Sequence, residues 1–148
     1  MRAARAGVLG ATVALALVAA GCAATPHTPA GVRAWMQQSG FRASAALLRT
    51  DVAEIGRGIA AARLKETTTA CDGLGADAAS AIGELPAPDH RLTLELNGAY
   101  SDLVNGAQAC STASSFAAAG FARYRRDAAA GLAGLTRAER RLDDLLKR

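Results

Sequence analysis

Three groups in this chain are reactive or charged enough to suggest a role: its cysteines, an Asp-His pair and two clusters of charge. The cysteines are Cys22, Cys71 and Cys110. A thiol can be acylated, oxidised to a disulfide, used as a nucleophile or bound to a metal, and its surroundings decide which. Cys71 and Cys110 fall at apolar positions of helical patterns, where structural thiols belong. No Gly-x-Ser-x-Gly elbow, Cys-x-x-Cys, Glu-x-x-His, His-Glu-x-x-His or EF-hand spacing occurs. His27 and His90 are far apart in sequence, and Met36 is the one methionine after Met1, which argues against a methionine-based copper site. Asp89, next to His90 and just after Pro86-Ala87-Pro88, reads as a helix cap. The expectation is therefore no catalytic residue, no metal site and no cofactor.

Charge offers two further candidates. Arg123-Tyr124-Arg125-Arg126 is the densest basic run. Its sharper reading is contact with anionic lipid head groups or an acidic wall polymer. Its plainer and preferred reading is an exposed helix face with Arg123 paired to Asp127. Asp143 and Asp144 sit among Arg140, Arg141 and Lys147. Asp143 to Lys147 and Asp144 to Arg148 have the i,i+4 order that supports a helix, which marks a solvated face rather than an acid–base pair.

The N-terminus concerns address rather than reaction. Met1-Arg2-Ala3-Ala4-Arg5 is basic, and residues 6–18 form an uncharged apolar run of 13. A membrane-spanning helix needs about 20 such residues, so the run matches the apolar stretch of a signal peptide. It ends at Ala19-Ala20-Gly21-Cys22, which resembles the lipobox read by bacterial lipoprotein-processing enzymes. By that resemblance residues 1–21 are removed, the Cys22 thiol carries a diacylglyceryl group, and the chain is held by its N-terminal lipid on the extracytoplasmic face of the cell membrane. The departure is Ala19, where Leu is the commoner residue. The alternative is plain secretion after cleavage beyond Ala24. Cysteine arithmetic favours the lipid, because an odd count in an exported chain becomes an even one when Cys22 is acylated.

Removing residues 1–21 leaves 127 of the 148 residues, enough for one domain. It also removes Arg2 and Arg5, so 15 basic residues face 13 acidic ones, a net charge of +2. That weak, dispersed excess points away from nucleic acid as a partner.

Residues 22–40 read as a lipidated cysteine, a Pro/Thr tether and a short lead-in helix from Val32 to Ser39 bearing Trp35 and Met36. Trp35 is expected to cover one end of the fold as a core residue, the alternative being a place at the membrane interface, where Trp is enriched. Residues 41–148 carry four amphipathic segments with apolar residues spaced by three and four. The first places Phe41, Ala45, Leu48, Val52, Ile55 and Ile59 on one face. The second runs from Leu64 through Thr67, Cys71, Leu74, Ala78 and Ile82 to Leu85. Pro86 and Pro88 break the pattern. The third holds Leu92, Leu96, Ala99, Leu103, Gly106 and Cys110, and after a small polar turn at 111–115 the fourth carries Phe121, Tyr124, Ala128, Leu132, Leu135, Leu142 and Leu145. The expected fold is all-α, an antiparallel up-down four-helix bundle.

Many facing positions are Ala or Gly, which allow close approach but bury little apolar surface. A Cys71–Cys110 disulfide would staple such a bundle, the alternative being two unpaired buried thiols. Strict register from the proline turn puts Cys110 a few helical turns beyond Cys71, so the bond requires an asymmetric loop or a late start of the second helix.

At Cys71-x-x-Leu74, Leu85-Pro86-x-Pro88-Asp89 and Ala99-x-x-x-Leu103 with Ala107-x-x-Cys110, residues 41–148 resemble a group of small actinobacterial lipoproteins. The predominance of Arg over Lys and the abundance of Ala fit the high-GC genome of such a source. The resemblance implies a lipobox, a tether, an Ala-rich helical domain and a disulfide, and it implies no activity. The sequence as a whole points to a non-catalytic helical interaction module of the cell envelope with an envelope protein or polymer as partner. The alternative is a carrier that holds a small apolar or lipid ligand in the bundle core.

Overall fold

The computed structural model describes residues 28–148. Among them are five helices and no strand: α1 (Pro29–Gln38), α2 (Phe41–Ala60), α3 (Leu64–Gly83), α4 (His90–Ser111) and α5 (Ala119–Leu146). The four long helices coincide with the four amphipathic segments, because the 3.6-residue period leaves each one an apolar stripe that needs covering.

The ends of the helices follow from local chemistry. Thr28 Oγ1 accepts from the Gly31 N–H at 3.1 Å, and Pro29 stands at the first helical position. The lead-in helix therefore begins three residues earlier than the apolar pattern suggests. Proline there loses no hydrogen bond, since the first N–H groups of a helix lack partners anyway. Gly40, at φ 60°, turns the chain between α1 and α2. Asp89 Oδ1 accepts from the Leu92 N–H at 2.8 Å, the expected cap of α4.

Successive helices pack against one another, with α4 between α3 and α5, α3 against α2, and α1 on α5 and α2. The core is filled by Phe121, Leu74, Leu96, Leu103, Leu135 and Leu142, all almost fully buried. A second stripe, missing from the simple pattern, includes Tyr100 and Ala107 on α4 and Gly131, Gly134 and Ala138 on α5. These let α4 and α5 approach closely. A Cβ at Gly131 would lie 2.7 Å from Leu103 Cγ and 2.9 Å from the Ala99 carbonyl oxygen. No described helix is long and apolar enough to cross a membrane.

Candidate functional site

Cys22, the residue on which the anchoring expectation rests, lies outside the described residues, as do the signal segment and His27. The other two cysteines form a disulfide, Cys71–Cys110, with Cα atoms 5.9 Å apart and both residues fully buried. The register difficulty is resolved by an asymmetric loop. Gly75 faces Ala107 in the same alignment as the disulfide, so α3 ends about two helical turns short of the start of α4. Residues 84–89 cover that distance beside α4. Thr93 Oγ1 accepts from the Ala87 N–H at 3.0 Å and donates to the Ala87 carbonyl at 3.2 Å. The Leu85-Pro86 peptide in this segment is cis.

The basic run at 123–126 is divided by its helix. Tyr124 is buried, and its hydroxyl donates to the Val52 carbonyl at a long 3.5 Å. Burial, reinforced by the negative charge of Asp51, raises its pKa. Arg123 and Arg126 both turn onto Asp127, at 3.2 and 3.0 Å, so the preferred pairing of Arg123 is present. Arg125 instead lines the seam between α2 and α5. His90 is exposed beside the cap. Asp143 and Asp144 do not make the i,i+4 pairs anticipated for them. Asp143 reaches across to Arg42 of α2 at 3.8 Å, and Asp144 lies 4.0 Å from Lys147. Tertiary neighbours compete with the helix's own spacing, and α5 gives way to its cap at Lys147. Trp35 is buried as expected, with its ring centroid 5.8 Å from that of Phe41 at the α1–α2 joint.

A denser basic cluster lies elsewhere. Arg91 of α4 and Arg137, Arg140, Arg141 and Arg148 of α5 and its end line a surface cleft of about 280 Å³ with Glu95 and Asp144. Arg91 pairs with Glu95 at 3.2 Å, and Arg141 pairs with Asp89. That hydrogen bond to Asp89 is the main reason the Arg141 guanidinium pKa rises further. The i, i+3, i+4, i+11 spacing from Arg137 is a one-face signal present in the sequence. Arg91 carries no such signal, because only the packing of α4 on α5 brings it there.

Between α2 and α5 runs a shallow, mainly apolar groove of about 360 Å³, lined by Val52, Gly56, Ile59, Tyr124 and Leu132 among others. Arg49 spans this seam with a two-pronged pair to Glu139, at 3.0 and 2.7 Å. Near it, burial and the neighbouring carboxylates of Asp77 and Glu54 raise the pKa of Asp51 above its ordinary value of 3.8. Among the described residues, no group of three or more His, Cys, Asp or Glu is placed to hold a metal ion. No protein-family model, curated protein or solved structure matches the chain.

Proposed function

We propose that this chain is a lipid-anchored extracytoplasmic protein whose helical domain is a non-catalytic interaction module, related to the actinobacterial lipoprotein group it resembles. The observation that carries the reading is the Cys71–Cys110 bond, which takes two of the three cysteines and leaves Cys22 with no cysteine partner in the chain. A disulfide belongs to an oxidising compartment, and an exported chain with one remaining cysteine after a lipobox is suited to acylation there. We further propose that α2 to α5 form an antiparallel up-down four-helix bundle with α1 as a lead-in at one end. The pairing of Cys71 with Cys110 and of Gly75 with Ala107 supports opposite directions for α3 and α4. Arg49 with Glu139 and Val52 with Tyr124 support the same for α2 and α5.

The carrier alternative requires a continuous space among the helices. The filled core and the close α4–α5 approach give it little support.

Mass spectrometry of the chain extracted from its own membranes tests the anchor. The expected species begins at Cys22 and carries acyl mass, and an unmodified chain released from the membrane refutes it. Cross-linking on intact cells tests the module: a reproducible envelope partner is expected, and repeated capture of none refutes the role.

A further inference from the structure

We propose that the arginine cleft between the start of α4 and the end of α5 binds a phosphate-bearing anion. Five arginines line it against two carboxylates. Those carboxylates have cationic neighbours already, Glu95 in Arg91 and Asp144 in Lys147, while Asp89 takes Arg141. Among the described residues, Arg137, Arg140 and Arg148 have no carboxylate partner, and all three are exposed.

Helix electrostatics account for only part of this gathering, through Asp144 beside Arg141. Arg137 lies three and four residues before Arg140 and Arg141, a spacing at which like charges on a helix repel. The C-terminal dipole rewards cations mainly within the last turn, and the last turn of α5 holds none. An anion seated between the guanidinium groups would relieve the repulsion. Arginine's planar fork matches phosphate oxygens two at a time, which favours phosphate over a halide.

The cleft's position narrows the source of that phosphate. Arg91 opens α4, Arg137 to Arg148 close α5, and α1, through which the chain enters, packs on α5 at the same end. An anchored chain would carry this end toward the bilayer, where phospholipid head groups supply the anion. Only this choice of source rests on the anchoring reading. Phosphate recognition itself rests on the arginines.

The test uses residues 22–148 with Cys22→Ser, the processed chain without its lipid, in two arms. In the first, inorganic pyrophosphate is titrated calorimetrically into this chain and into versions carrying Arg137→Glu with Arg140→Glu, or Lys65→Glu with Arg126→Glu. The last pair makes the same charge change at the opposite end. The cleft variant is expected to bind about tenfold more weakly or worse, and the distal variant to keep the parent affinity. Equal loss in both variants, or no binding by the parent, overturns the proposal. Arg137→Gln with Arg140→Gln, checked for unchanged helix content, replaces the cleft variant if charge reversal unfolds the chain, with the same loss expected. In the second arm the same chains are sedimented with phosphatidylcholine vesicles with or without phosphatidylglycerol. A phosphatidylglycerol preference lost only in the cleft variant identifies a head group. Pyrophosphate binding without that preference identifies a free phosphate compound. Absence of acylation on the native chain would defeat the anchor and leave the pyrophosphate result standing.

Discussion

Helix α5 has two unlike seams. Against α4 it is closed, since glycines at 131 and 134 bring its backbone so near that an added Cβ would collide with Leu103 and Ala99. Against α2 it is open: Val52, Ile59 and Leu132 are only half-buried, and an Arg49–Glu139 pair spans the space. A half-buried, two-pronged ion pair contributes about 1 kcal/mol at a single point, whereas close backbone approach excludes water along the whole contact. The difference shows where a chain so rich in small residues obtains its cohesion. Small side chains hold helices together only where backbones meet, and elsewhere they leave a groove.

Substitution can sharpen that contrast. The closed side is also the stapled side, since α4 carries the disulfide to α3. Replacing both cysteines, Cys71→Ser with Cys110→Ser, is expected to lower unfolding free energy by about 4 kcal/mol in the chain-entropy model, for a sequence separation of 39. Denaturant titration of parent and variant with coincident midpoints would show that the staple contributes nothing. One substitution made at two glycines should then give opposite signs. Gly131→Ala forces atoms against the Ala99 backbone and is expected to destabilise by about 1–3 kcal/mol. Gly56→Ala on the open seam meets nothing within 4 Å, so helix propensity alone should stabilise by up to about 1 kcal/mol. The same sign at both sites in thermal melts would dissolve the distinction between the seams.

The smallest effect concerns pH, where Asp51 of α2 meets Asp77 of α3. The Asp51 pKa is raised in the folded state, so the folded chain keeps a proton that the unfolded chain releases near 3.8. Stability from this group is present below that value and is lost as pH rises through the folded pKa. Asp51→Asn should flatten that fall while leaving the rest of the profile in place. A profile with unchanged slope across this range would show that Asp51 does not set it.

Much of this architecture is legible from spacing. The prolines at 86 and 88, the Asp89 cap and the apolar periods locate four helices because each is a local rule acting on a few neighbouring residues. The second stripe of α4 and α5 is harder to read, since Gly131, Gly134 and Ala138 look the same on a buried face as on a solvated one. The start of α1 is hidden because Pro29 resembles a tether residue until the Thr28 cap behind it makes it a first-turn residue. The arginine cleft is half legible, its α5 members lying on one face by spacing and Arg91 joining them only through packing. The partners of Asp143 and Asp144 likewise depend on α2 and the end of α5, which no spacing along one helix reports.

The joint at Ser39 and Gly40 has a mechanical meaning. Tension on the chain ahead of Thr28 reaches α1 first, and α1 is seated on α5 and α2, with Trp35 against Phe41. The disulfide lies further along the chain, joining α3 to α4. The domain thus meets tension with a non-covalent seat ahead of a covalent join. A pull that peels α1 from its seat would leave the α3–α4 pair intact, and the fluorescence of the chain's single tryptophan would report the moment it let go.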